Sequence, residues 1–194
     1  MPISEDILFH RFLCTIAWNI LLCTDGSICV YNCPMIDRQL EVQVSECLRE
    51  RGWRLAVAES CTGGLIGHRI TNVPGSSTYY MGSITAYAYD AKVRLLGVRW
   101  ETIEKYGAVS KETVIEMARG VRRVLAADVG LAVSGIAGPG GGTPEKPVGL
   151  TYIGLSAAGV DEAWKNIWDG DRLEVKEQTS SEALRMLVSY LCNA

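Results

Sequence analysis

The stretch Arg54-Leu55-Ala56-Val57-Ala58-Glu59-Ser60-Cys61-Thr62-Gly63-Gly64-Leu65-Ile66 decides how this chain is read. Its first five residues have the length and apolar content of a buried strand. Leu65, Ile66 and Ile70 then begin a helical spacing, so Ser60 falls where a strand turns into a helix. Such a turn exposes a hydroxyl beside backbone N–H groups that have no partner within the helix. Those amides, with the positive end of the helix dipole, can hold an anion or a developing oxyanion, and Gly63-Gly64 lets a ligand approach the backbone. Ser60 is therefore a candidate nucleophile, with Cys61, Thr62, Gly63 and Gly64 as candidate binding positions. A plainer role remains open for the same residues, in which Ser60 or Thr62 only caps the helix.

A serine hydroxyl needs a neighbouring base to take its proton, and histidine is the usual one. The chain has two histidines: His10 lies in the N-terminal segment and His68 about two turns into the helix after Ser60, so neither suits a Ser-His-Asp triad. Glu59 is adjacent but points elsewhere if Ser60 faces a site. Lys92 follows the apolar and aromatic run Tyr79 to Tyr87, and a lysine desolvated in such surroundings has a lowered pKa and can serve as a neutral base. Tyr87 and Lys92 are about 140° apart on an ideal helix, so they converge only if Tyr87 ends a strand and Lys92 lies in the first turn of the next helix. The alternatives are a surface lysine and a core tyrosine. Cys61 as nucleophile ranks last, because no histidine is at hand to lower its pKa.

Outward from this turn, Leu40, Val44, Cys47 and Leu48 mark an amphipathic helix from Asp37 to Arg51, ended by Gly52. A second helix starts after Ser110, with Val114, Met117, Ala118, Val121, Val124 and Leu125 as one apolar stripe. Strands are predicted at Val129 to Ser134, Val148 to Ser156 and Glu162 to Trp168, and a last helix from about Val175 to Leu191. Interleaved helices and strands followed by a hairpin predict an α/β fold, a three-layer α/β/α sandwich with a mixed sheet. Gly135 to Pro147 is a glycine- and proline-rich loop at the C-terminal end of a strand, where open α/β sheets place ligands, although a plain hairpin connection has the same composition. It matches neither a dinucleotide fingerprint nor a P-loop.

With 194 residues, 48% hydrophobic, the chain is long enough for one well-buried domain. A net charge of −3, with scattered lysines and arginines, excludes the broad positive field that binds a nucleic-acid backbone. Seven cysteines are unevenly spread and lack zinc-finger spacing, which fits reduced thiols without a structural metal. The apolar run Ile7 to Cys23 is interrupted by His10, Arg11 and Asn19 and is shorter than a comfortable membrane span. It also lacks the charge pattern of a secretory signal. Residues 1–34 are read as an atypical extension outside the functional chain, which would be residues 35–194. The rival reading is a short hydrophobic anchor or partner helix.

Several segments together resemble a known family. They are Ala-Glu-Ser-Cys-Thr-Gly-Gly at 58–64, Val73-Pro74-Gly75-Ser76-Ser77, Tyr87 with Asp90-Ala91-Lys92, and Leu96-Gly97-Val98. Further on come Tyr106-Gly107-Ala108-Val109-Ser110, Ser134-Gly135-Ile136-Ala137-Gly138-Pro139-Gly140-Gly141, Glu145-Lys146-Pro147-Val148-Gly149 and Gly170-Asp171-Arg172. In this order they resemble the C-terminal domain of the competence/damage-inducible protein CinA, whose stand-alone members are nicotinamide mononucleotide amidohydrolases. The resemblance implies a cytoplasmic, homo-oligomeric amidase without metal or cofactor, which converts nicotinamide mononucleotide to nicotinate mononucleotide and ammonia. It implies Ser60 as nucleophile, Lys92 as base and Tyr87 as a hydroxyl that orients or relays the proton. It also raises the 135–147 loop to part of the site, with Gly138, Gly140 and Lys146 near the phosphate or carbonyl. Arg172 would be a phosphate partner across a subunit interface, or would simply pair with Asp171 or Glu174. Tyr89 departs from the family pattern, where a small polar residue such as Asn is usual. The alternative function is a non-catalytic nucleotide-binding or competence-associated interaction module.

Overall fold

Leu55 and Val57 point to one face of a sheet and Ala56 and Ala58 to the other, as the two-residue period of a strand requires. That contrast of large and small side chains sets the thickness of the two outer layers. The computed structural model describes residues 20–22, 28–30 and 39–193. The chain divides into two units, Met1–Asp37 and Arg38–Ala194. In the first, β1 (Ile20–Leu22) and β2 (Ile28–Val30) pair antiparallel, with Ile20 opposite Val30. Apart from these strands, the N-terminal extension or anchor helix considered above, His10 included, lies outside the described residues.

The second unit runs α1 (Leu40–Arg51), β3 (Leu55–Glu59), α2 (Leu65–Thr71), a 3-10 turn (Ser76–Thr78), β4 (Tyr80–Thr85), α3 (Tyr89–Leu96) and α4 (Trp100–Tyr106). It continues with α5 (Lys111–Val124), β5 (Val129–Gly135), β6 (Leu150–Ala157), β7 (Val160–Ile167) and α6 (Arg172–Asn193). The sheet order is β4-β3-β5-β6-β7. β3 is parallel to β4 and β5, and β6 and β7 add antiparallel strands, so the sheet is mixed. Leu55 lies opposite Tyr80 but Ala56 opposite Gly82, so β4 accommodates one extra residue, Met81, before Glu59 comes opposite Thr85.

Val44 and Leu48 of α1, Ile66 and Ile70 of α2, and Leu184, Leu187 and Leu191 of α6 cover the face that carries Leu55, Val57, Leu131 and Ile153. Leu96, Ile103, Val114, Met117 and Val121 of α3, α4 and α5 cover the other face. These are the three layers of an α/β/α sandwich, and each fully buried aliphatic side chain contributes about 1.5–3 kcal/mol. On the second face α5 sits very close to the sheet, because Ala56, Ala58 and Ala132 are small and Gly130 has no side chain at all. A Cβ at Gly130 would lie 2.2 Å from the Ala118 carbonyl oxygen.

Ser110 caps α5, its hydroxyl accepting from the Thr113 N–H at 3.2 Å. The stripe from Val114 to Val121 is buried, but Val124, expected to belong to it, is 50% exposed at the end of the helix. β3, β4 and β5 all end on the same side of the sheet, which brings Ser60, Ala86 and Ile136 to one edge.

Candidate active site

Ser60 follows the last residue of β3 and is buried. The chain turns there through Gly63 (φ 66°) and Gly64 (φ 103°), left-handed conformations that favour glycine, and then enters α2. Gly64 stands at the N-cap position and offers no capping side chain, so the first amides of α2 need another acceptor. Glu59 supplies it. Its Oε2 accepts from the Thr62 hydroxyl at 2.7 Å and from the N–H groups of Gly64 and Ile66 at 2.9 and 3.1 Å. Its Oε1 accepts from the Gly67 N–H at 2.9 Å. Thr62, Gly63 and Gly64 thus shape the turn around Glu59, whereas Ser60 and Cys61 line the open cleft. The sequence reading gave Glu59 no such role; the signal that could have found it is the alternation of β3, which places Glu59 on the same face as Val57, over which α2 packs.

Lys92 lies in the first turn of α3 and Tyr87 in the loop two residues beyond β4, close to the arrangement their spacing demanded. Lys92 is 1% exposed, and its ammonium donates to Ser60 Oγ at 2.9 Å, to the Ala86 carbonyl at 2.7 Å and to the Tyr87 carbonyl at 3.3 Å. Burial pushes its pKa down from 10.5 to about 8, against a smaller opposing effect from Cys61. Burial also pushes the Cys61 thiol up to about 12, which disfavours the thiolate. With Lys92 neutral, the two carbonyls can take both N–H groups and leave the lone pair facing the serine hydroxyl.

The cleft holds about 270 Å³ and is lined by Ser60, Lys92, Tyr87, Tyr89, Gly138 and Arg172, among others, including Gly140. Arg172, the first residue of α6, donates to the Gly138 carbonyl at 2.8 Å and to the Tyr87 hydroxyl at 2.7 Å. It therefore ties the two sides of the cleft together, bonding to Gly138 and Tyr87 rather than to Asp171 or Glu174. The Tyr87 hydroxyl faces Arg172, so Tyr87 reaches Lys92 through its carbonyl. Lys146, expected at the phosphate or carbonyl, is not among the cleft residues. Its ammonium donates to the carbonyls of Tyr106 and Val109 at 2.6 and 2.8 Å and braces the wall behind the cleft. The carbonyls of Tyr106, at the C-terminal end of α4, and of Val109 just beyond it give the ammonium two acceptors on that side. Among the described residues, no group of three or more His, Cys, Asp or Glu side chains is placed to hold a metal ion. No helix among them is long and apolar enough to cross a membrane.

The family model of the CinA C-terminal domain matches residues 37–191, which include every one of these cleft residues. The chain belongs to the CinA C-terminal domain family. A putative competence-damage inducible protein of Halothermothrix orenii is 51% identical over 158 residues, covering 80% of this chain and 38% of that protein. A CinA-like protein of Kosmotoga olearia is 48% identical over 148 residues, 76% of this chain and 36% of its own length. The chain thus spans well under half the length of these curated relatives. Among solved structures, a competence-damaged protein (CinA) superfamily protein from Klebsiella pneumoniae superposes with a TM-score of 0.77 at 33% identity, covering 80% of this chain and 97% of that one. A competence/damage inducible protein from Agrobacterium tumefaciens gives 0.71 at 37% identity, covering 77% and 94%.

Proposed function

We propose that this CinA-family chain is a nicotinamide mononucleotide deamidase whose activity resides in residues 35–194. The observation that carries the reading is the 2.9 Å contact between Ser60 Oγ and a buried Lys92 whose pKa is held near 8. The substrate follows from the family resemblance of the residues around this pair. In the reaction Ser60 Oγ attacks the carboxamide carbon while Lys92 Nζ takes its proton. The oxyanion is met by backbone amides at Cys61 and Thr62, and one such preorganised donor is typically worth about 2.7–4 kcal/mol. Lys92 then returns the proton to the leaving nitrogen, ammonia departs, and water repeats the sequence on the acyl-enzyme to give nicotinate mononucleotide. Arg172 supplies the positive charge in the cleft that suits the phosphate.

A non-catalytic binding module is the second reading, favoured by one observation. Three acceptors surround Lys92 Nζ, which also suits a permanently charged ammonium. Ammonia release from nicotinamide mononucleotide, without added metal, separates the two. The deamidase reading expects turnover by the wild type and a loss of at least about a thousandfold in folded Ser60→Ala and Lys92→Ala. Nucleotide binding without turnover by the wild type would establish the module instead.

A further inference from the structure

Glu59 performs no step of the reaction above, yet its carboxylate is completely buried and gathers one hydroxyl and three amides from the turn that carries Ser60. The nucleophile is the next residue in the chain, so the turn leaves the sheet at Glu59 and is drawn back onto the Glu59 side chain. The Glu59 main chain closes a second circuit. Its carbonyl accepts from the Ala86 N–H at 2.9 Å, and the Ala86 carbonyl in turn accepts from Lys92 Nζ at 2.7 Å. Lys92 Nζ then reaches Ser60 Oγ. One residue thus anchors the serine through its side chain and the seat of the lysine through its backbone.

We infer that Glu59 is a positioning residue, whose two acceptor oxygens hold the Ser60 turn in register with Lys92. The inference rests on the Ser60–Lys92 reading. Only a carboxylate presents acceptors at both oxygens. A glutamine whose oxygen takes the three donors at Oε2 must aim its NH2 at the Gly67 N–H, donor against donor, and the opposite flip faces three donors. Sliding α2 toward β4 has little room, because the two pack closely at Gly67: a Cβ there would lie 2.6 Å from the Tyr80 hydroxyl and 2.8 Å from Ser83 Oγ. The mismatch therefore appears as displacement of Ser60 rather than of the helix, and a small misplacement of reacting atoms is costly in rate.

The test compares wild type, Glu59→Gln and Glu59→Asp by melting temperature, by ammonia release from nicotinamide mononucleotide, and by the rate at which a small fluorophosphonate labels Ser60. Folded Glu59→Gln is expected to keep KM within about twofold, to lose roughly a hundredfold in kcat, and to label more slowly in proportion. A folded Glu59→Gln with wild-type kcat and labelling overturns the inference while leaving the deamidase reading intact. A rise in KM at constant kcat overturns it too, because that is the signature of a ligand contact. If Glu59→Gln fails to fold, Glu59→Asp decides, since it keeps the charge on a shorter stem. Reduced kcat at unchanged KM supports the inference, and wild-type kcat overturns it. Failure of both variants to fold would assign Glu59 to stability alone. Wild type that neither turns over nor labels would overturn the Ser60–Lys92 reading itself, and the inference with it.

Discussion

Lys92 Nζ lies 2.9 Å from Ser60 Oγ although the residues are 32 positions apart, and both side chains are buried. With the Lys92 pKa pushed down to about 8, the neutral amine makes up roughly a tenth of the molecules at about pH 7 and most of them above about pH 9. The kcat/KM for ammonia release is expected to rise about tenfold per pH unit below this midpoint and to level off above it. Lys92→Arg, which stays charged, should abolish the rise together with the activity. A flat profile in the wild type would remove Lys92 as the base.

The same burial makes a stability prediction. The folded-state pKa of about 8 is below the ordinary 10.5, so between these values the unfolded chain binds more protons, and the Lys92 contribution grows as pH rises. At neutral pH the buried ammonium costs up to about 3 kcal/mol, which is recovered toward about pH 10.5. Urea unfolding of wild type and Lys92→Met across this range should therefore show wild type gaining on the variant. A pH-independent difference would refute this.

Arg172 joins Gly138 to Tyr87 across the cleft. Arg172→Gln is expected to raise KM for the mononucleotide by about 10- to 100-fold, the worth of one hydrogen bond to a charged group, with a smaller effect on kcat. Tyr87→Phe keeps the carbonyl on Lys92 and loses only the hydroxyl on Arg172, so KM should shift in the same direction and by less. Steady-state kinetics on both variants checks this, and a loss confined to kcat in Tyr87→Phe would return its hydroxyl to a proton relay.

Cys61 lines the cleft beside the serine, but burial pushes its thiol up to about 12. Of Cys47, Cys61 and Cys192, iodoacetamide at neutral pH should modify the exposed Cys192 first, and turnover should be unchanged while Cys61 stays unlabelled. Mass mapping alongside the ammonia assay gives the answer, and inactivation that tracks Cys61 labelling would make the thiol a participant.

Gly130→Ala would drive a Cβ to 2.2 Å from the Ala118 carbonyl and 2.8 Å from Arg122 Cβ. Loss of about 1–3 kcal/mol is expected in thermal or denaturant unfolding. A Cβ at Gly140 meets no atom within 4 Å, so Gly140→Ala should change stability by no more than about 0.5 kcal/mol.

The layers, and Ser60 and Lys92 as separate candidates, were legible because each depends on short-range pattern: alternation in β3, a glycine pair at the turn, and a lysine after an apolar and aromatic run; what joined the serine to the lysine was the exclusion of both histidines. Glu59 was half legible, since the strand period gives its face but not the four donors that meet it. Contacts made over long separations were not legible. Arg172 and Tyr87 are 85 positions apart, and nothing local distinguishes Lys146 near a phosphate from Lys146 on the carbonyls of Tyr106 and Val109. Trp100–Tyr106 is too short a helix for its periodicity to stand out, and Val124 continues a helical stripe past the point where the layer ends.

The extra residue in β4 bears on insertions and deletions. Met81 sits where the pairing with β3 skips a step, so removing it should let Tyr80 and Gly82 follow one another as a regular strand, with Glu59 still opposite Thr85. Removing Ile84 instead shifts everything after it by one strand step, about 3.3 Å, more than the Lys92–Ser60 hydrogen bond can span. Variation in length along β4 is therefore absorbed at its beginning and not at its end, and a designer shortening this scaffold should cut at Met81.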